Sequence, residues 1–272
     1  MSLLTSTNTY NNAFAGLPST AIEIDITATS SSPKFDVGFG FKRADGNKYR
    51  YVQYGGTVTA GNLVANNSTT GLMADTDNAV IEPAAAVAVS GETILPGRKG
   101  SHYFEFTKAS IVKNQFAGGY VVVTGGTAIG HSYRIKGNTA TDDPASGNLR
   151  FELYEPLLVT LDSTSDISVV GSNYSDVSVT VVGGLNMHPI GIACSGGSDS
   201  RYGWICTHGV VGATQDAGVC TAVGQAIRTS TTTDGTICLL TSLETTGNYT
   251  AIGYCLDIGD SAGCSTVYLQ IE

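Results

Sequence analysis

The sequence predicts an all-β protein, built from β-sandwich, jelly-roll or small β-barrel modules joined by Gly-rich loops. Three observations carry that expectation. Glycine is abundant at 34 of 272 residues and charged residues are only 14%, a balance that favours strands and turns over helices. Short apolar runs alternate with period two, as half-buried strands do. Turn-forming clusters separate these runs at the spacings of sandwiches and barrels.

Along the chain, residues 1–18 are polar and end at Leu17-Pro18, which reads as an extended arm. AIEIDITA (21–28) places Ile22, Ile24 and Ile26 on one face and Glu23, Asp25 and Thr27 on the other, the pattern of a strand. FDVGFGFK (35–42) followed by RADGNKYRYVQYGG (43–56) predicts a hairpin whose tip is Ala-Asp-Gly-Asn. GGTVTAGNLV (55–64) predicts another short strand, residues 65–79 a polar loop, and AVAVSGETI (86–94) a further strand. LPGRKGS (95–101) is a breaker cluster suited to a domain boundary. HYFEFTKASIV, GGYVVVTGG, HSYRIKGN, NLRFELYEPLLVTL, DISVVG and VSVTVVGG then form a run of strands up to residue 184. The remainder carries GIACSGG, YGWICTHGVV, GVCTAVGQAI, GTICLLT, AIGYCLDIG and STVYLQI. These punctuations divide the chain into the arm 1–18 and β-domains 19–95, 96–186 and 187–272. A glycine followed two residues later by a pair ending in Val or Ile recurs at Gly61–Val64, Gly91–Ile94 and Gly224–Ile227. Each reads as a turn glycine feeding a short strand, and together they suggest a duplicated β unit.

The net charge of -9 and pI near 4.8 argue against nucleic-acid binding, which needs a basic surface. No run approaches the roughly 20 apolar residues of a membrane span. The N-terminus lacks the basic and apolar regions of a signal peptide, so the expectation is a soluble chain made in a cytoplasm. In that setting the sequons at Asn67, Asn173 and Asn248 carry little weight. All six cysteines lie from Cys194 onward, with no C-x-x-C pair. Flanked by apolar residues, they read as small hydrophobes in a β core rather than as disulfides or metal ligands.

The catalytic inventory is thin, and the expectation is no enzyme, no metal and no cofactor. His131 adjoins Ser132, but neighbours on a strand point to opposite faces and form no nucleophile–base pair. GGSDS (196–200) lacks the closing glycine of a nucleophile elbow. Asp162 and Asp166 miss the spacing of a calcium loop and read as acids at turns. The cluster Lys48, Tyr49, Arg50, Tyr51 and Tyr54 has the residue types of a single-strand nucleotide platform. It is equally ordinary β packing or a protein interface, which the acidic charge favours. Trp204, the sole tryptophan, reads as a core anchor before a sugar platform.

Several segments, taken in order, resemble virion proteins of tailed bacteriophages. DGNKYRYVQYGGTVTAGNLV (45–64) is similar to a hairpin, glycine pair and short strand found in them, and GGYVVVTGGTAIGHSYRIKGN with LRFELYEPLLVTLDSTSDISVV (118–138 and 149–170) resembles their middle portion. HPIGIA, RYGWICTHGVV, TAVGQAI and IGYCLDIGDSAGCSTVYLQI resemble the closing strands of capsid decoration, or cement, proteins. The likeness runs from about residue 38 to the end. It departs at the cysteines, where Val, Ala or Gln would be expected, and at the polar loop 65–79. The resemblance implies β-domains that bind the outer face of an assembled head, commonly as dimers or trimers. There they lock neighbouring major capsid subunits together, with neither nucleic acid nor membrane as partner. Lys48, Tyr49, Arg50, Tyr51, Tyr54 and Trp204 are then candidates for the capsid or subunit interface. A head-fibre or carbohydrate-binding virion protein is the alternative, using exposed Tyr and Trp204 on sugar. A hydrolase using His131 or His208 is a third reading.

Overall fold

A computed structural model describes residues 24–66, 72–73, 94–108, 111–140, 148–182, 188–216, 222–240, 250–257 and 263–272. Among these there is no helix. The chain begins with β1 (Gly40–Lys42), β2 (Lys48–Gln53) and β3 (Leu63–Asn66). It continues through β4 (Leu72–Met73), β5 (Tyr103–Thr107), β6 (Tyr120–Gly125), β7 (Ser132–Asn138), β8 (Asn148–Leu153) and β9 (Asp166–Val170). It ends with β10 (Val177–Val179), β11 (Pro189–Ala193), β12 (Tyr202–Thr214), β13 (Ala226–Thr229), β14 (Ile237–Leu239), β15 (Gly253–Cys255) and β16 (Cys264–Gln270).

These strands form two compact units. One comprises residues 1–35, 39–66 and 176–272, the other 36–38 and 67–175. The three β-domains expected from the sequence, with limits at 95/96 and 186/187, do not match this division. The reason is pairing: β3 lies between β10 and β11, so segments assigned to three domains share one sheet. VSVTVVGG therefore leaves the middle block and joins the other unit. The arm 1–18 and residues 86–93 of the strand expected at 86–94 lie outside the described residues, and Ile94, which is described, is in no strand.

The middle unit is a six-stranded antiparallel sheet in the order β4-β9-β6-β7-β8-β5. Period-two alternation sends Phe104, Phe106, Val121, Val123, Ile135, Phe151 and Leu153 to one face, where Phe116, Leu157 and Leu161 from the loops complete a buried core. Apolar area removed from water stabilises at about 25 cal/mol per Å², which makes this face the main support of the unit. β4 is a correction to the polar loop expected over 65–79, since Leu72 and Met73 pair with Val170 and Val169.

The other unit holds the ten-stranded sheet, and that sheet is an internal duplication. β2, β3, β10, β11 and the first half of β12 form one ring, closed by a parallel bridge between Tyr54 and Val177. The second half of β12 with β13, β14, β15 and β16 forms another, closed by the parallel bridge Gln215–Ile237. Register agrees strand by strand. Ile192↔Cys206 and Ala193↔Ile205 correspond to Tyr254↔Tyr268 and Cys255↔Val267. Tyr51↔Trp204 and Val52↔Gly203 correspond to Gly212↔Thr266 and Ala213↔Ser265, and Val64↔Val179 corresponds to Ile227↔Leu239.

The entry turns match as well. Gly61 and Gly224 both have positive φ (88° and 84°), which favours glycine. Gly61 N donates to Ala193 O at 2.9 Å and Gly224 N to Cys255 O at 2.8 Å. One residue on, the Asn62 amide oxygen accepts from Thr59 N at 2.9 Å and that of Gln225 from Ala222 N at 3.1 Å. The recurrent glycine pattern thus does mark a repeated unit at these two places, while Gly91 lies outside the described residues. Equivalent positions are buried in both rings: Val52, Val64, Val177, Ile190 and Ile205 in the first, Ala213, Ile227, Ile237, Ile252 and Val267 in the second. The six-stranded unit is inserted between β3 and β10, where the second ring has only the loop from Ser230 to Thr236.

Among the described residues of the strand expected at 21–28, which are 24–28, no strand forms. Ile26 and Thr27 form a turn instead. The Asp25 carboxylate accepts from Thr27 N at 2.9 Å and Thr27 Oγ1 at 2.7 Å. This local side-chain cap competes with the ladder and wins despite the alternating pattern.

Candidate functional site

The hairpin that drew attention in the sequence forms as expected. Phe41 faces Tyr49 and Gly40 faces Arg50. Gly46 N donates to Arg43 O at 3.0 Å and Arg43 N to Asn47 O at 2.8 Å, with Gly46 at φ 95°, a three-residue loop closed by a left-handed glycine. β2 then pairs with the first half of β12, setting Tyr51 opposite Trp204.

Trp204 is the hub of an aromatic cluster. Its ring centroid lies 4.9 Å from Phe41, 5.0 Å from Tyr51 and 5.3 Å from Phe35. Phe41 stacks on Tyr49 at 5.1 Å and Phe35 on Phe39 at 5.2 Å. The hydroxyl groups are also satisfied: Tyr51 Oη lies 3.0 Å from Ser30 Oγ and accepts from Lys34 N at 3.1 Å. Tyr49 Oη accepts from Asn47 Nδ2 at 3.2 Å and Arg43 Nη1 at 3.3 Å, while burial raises the Tyr49 phenol above its ordinary value. Tyr54 sits on the opposite face and donates to Ser195 O at 3.1 Å. Burial pushes its pKa up to about 12. The ring fits because residues 197 and 203 are glycine, and a Cβ at either would collide with it.

Tyr49, Tyr51, Tyr54 and Trp204 are therefore core residues, at most 4% exposed. This bears out the β-packing reading of the tyrosines and the core-anchor reading of Trp204, and corrects the expectation that these residues form an interface: their faces are already taken within the chain. The cause lies in Ile24, Phe35, Phe39 and Phe41, which precede β2 and pack over it. Trp204 is equally unavailable as a sugar platform.

Lys48 and Arg50 remain half-buried and accessible. Arg50 Nε contacts both carboxylate oxygens of Glu272, at 3.0 and 3.1 Å, and Lys48 Nζ donates to Glu272 O at 3.3 Å. Thr207 Oγ1 adds a bond to the same carboxylate at 3.1 Å. The cluster ties residue 272 to β2 and β12, an exposed ion pair worth about 0–1 kcal/mol.

Other candidates resolve into structural roles. The Asp162 carboxylate accepts from Thr164 N at 2.9 Å and Thr164 Oγ1 at 2.6 Å. These bonds, led by that from the Thr164 hydroxyl, lower its pKa. It is a turn cap, as the sequence suggested. His131 lies parallel to Tyr133 at 6.2 Å, and His208 Nε2 lies 3.2 Å from Tyr268 Oη. Among the described residues no three His, Cys, Asp or Glu side chains are grouped to hold a metal. Cys206 and Cys238 are buried thiols, and burial pushes Cys206 up to about 11 and raises Cys194 and Cys238. Cys264 is exposed, and Cys255 is disulfide-bonded. Cys264 departs from the core expectation by its exposure, and Cys255, buried in the core as expected, departs from it by its disulfide; Cys220 lies outside the described residues.

Two surfaces escaped sequence reasoning. On the solvent face of the six-stranded sheet, Tyr120 (51% exposed) pairs with Val170 and Arg134. The Arg134 guanidinium lies 4.8 Å above the Tyr154 ring, and Lys136 pairs with Glu152 beside them. In the second ring, Tyr254 stacks on Tyr268 at 5.3 Å next to exposed Val210. The alternation that located these strands did show which face each residue takes, but not which face stays uncovered. No family model, no curated protein and no solved structure matches this chain.

Proposed function

We propose that the protein is a structural component of a phage virion that decorates the outer surface of the assembled head and stabilises contacts between major capsid subunits. The ordered resemblance of its segments to cement proteins suggests this reading. The structural observation that supports it is the sheet face on which Tyr120, Val170 and Tyr154 are exposed beside Arg134, mixed in polarity as protein interfaces are. Attachment of such faces to a symmetric lattice gains avidity from modest single contacts. Co-sedimentation tests it: the protein is expected to pellet with intact heads and not to bind unassembled capsid protein. Protein left in the supernatant at saturating heads would overturn the proposal.

A carbohydrate-binding role is the second reading, favoured by Tyr120 and Tyr154 at 51% and 37% exposure on that same face. It no longer involves Trp204. A glycan array distinguishes the two, since binding to a glycan that is lost in Tyr120→Ala would support the sugar reading.

A further inference from the structure

The duplication shows what the second ring lacks. In the first ring the outward face of β2 and β12 is covered by β1 and the residues before it. Phe41 stacks on Tyr49, and Tyr51 N donates to Phe39 O at 2.8 Å. The ladder register makes Val210 the counterpart of Tyr49, Gly212 of Tyr51, Thr266 of Trp204 and Tyr268 of Cys206. Among the described residues no strand takes the place of β1 there. Val210 is 47% exposed, Gly212 and Thr266 are exposed, and the stacked Tyr254–Tyr268 pair is half-buried.

The backbone at this edge shows what fits it. The Val210 N–H and C=O point away from β16, as those of Tyr49 point toward β1. Both are held by one side chain: Val210 N donates to Asn47 Oδ1 at 2.9 Å, and Asn47 Nδ2 donates to Val210 O at 3.0 Å. A side-chain amide carries the same donor and acceptor as a peptide unit, so Asn47 supplies a single residue's worth of strand pairing. Beyond it the edge continues to exposed Gly212, at the position where Tyr51 meets Phe39.

We propose that this edge and face of the second ring accept an added β-strand from a partner protein. The occupant is an extended segment antiparallel to β12, with aromatic or large aliphatic side chains at alternate positions. The pattern follows from Phe39-Gly40-Phe41, which fills the equivalent place in the first ring. A partner chain rather than a second copy is indicated, because that segment of this chain is already committed to its own first ring. Main-chain bonds would give affinity, and the alternating side chains against Val210, Tyr254 and Tyr268 would give selectivity. The inference does not depend on the capsid reading.

The probe is a fluorescent peptide of residues 33–43 (PKFDVGFGFKR), titrated against the full chain by anisotropy. Saturable binding is expected, with no change in the emission of Trp204, which belongs to the first ring. Val210→Asp, at an exposed site, should weaken binding at least tenfold while leaving the melting temperature within a few degrees. Asn47→Ala should strengthen it severalfold by releasing the Val210 backbone groups. A peptide with Phe39→Ser and Phe41→Ser should not bind. The proposal is overturned by the absence of saturable binding, or by binding indifferent to Val210→Asp. It is also overturned by binding that alters Trp204 emission, which would signal strand exchange in the first ring.

Discussion

Alanine at the two entry glycines tests the duplication quantitatively. Gly61 and Gly224 share a positive φ, 88° and 84°, so either substitution forces an L-residue into the left-handed region at about 1–2 kcal/mol. The sites differ only in space. A Cβ at Gly224 meets nothing within 4 Å, whereas one at Gly61 lies 3.0 Å from Thr214 Oγ1 and 3.3 Å from Cys264 Sγ. Displacing those groups from their rotamers adds about 0.5–1.5 kcal/mol. Gly224→Ala should therefore cost about 1–2 kcal/mol and Gly61→Ala about 1.5–3.5 kcal/mol. Urea unfolding followed by Trp204 fluorescence measures both, because the rings share β12 and one apolar cluster. A Gly224→Ala variant within about 0.5 kcal/mol of wild type would refute the reasoning, as would a Gly224→Ala more costly than Gly61→Ala, since only Gly61 is crowded.

Other outcomes follow from individual contacts. Trp204→Ala, which removes the hub of the aromatic cluster, should destabilise by about 3–5 kcal/mol in urea unfolding followed by circular dichroism. Asp216 accepts hydroxyl bonds from Ser230, Thr232 and Thr236. Burial alone would raise its pKa, but these bonds outweigh burial and lower it. The stabilisation is therefore present above the unfolded pKa and lost as pH falls through about 4 and below. Asp216→Asn should cost about 1–3 kcal/mol at pH 7, with the two stability curves converging in acid. With a thiol reagent at pH 8, Cys264 should react in the native protein, while Cys206 and Cys238, buried and with raised pKa, should react only on unfolding.

Local physics made much of the fold legible. The six-stranded sheet declared itself through alternation, with Phe104, Phe106, Leu149 and Phe151 all on the buried face. The hairpin tip followed from Asp45-Gly46. Three features were hidden from it for physical reasons. Ile22, Ile24 and Ile26 alternate as a strand would, yet the Asp25 cap turns the described end of that segment. The two rings diverged at facing positions, Trp204 against Thr266 and Tyr51 against Gly212, and the six-stranded unit separates β3 from β10 in the first. Only the glycines that set the entry turns kept the repeat visible. The sequence left the tyrosines of β2 open between core packing and interface because alternation cannot show that Phe35, Phe39 and Phe41 fold over them. Accessible aromatic chemistry lies elsewhere, at Tyr120 and Tyr154.

The proposed role is tested most directly by the thermal disruption of intact heads with and without the protein. A cement should raise the temperature at which heads lose their genome or dissociate, in proportion to occupancy and with saturation. An unchanged disruption temperature at full occupancy would contradict it.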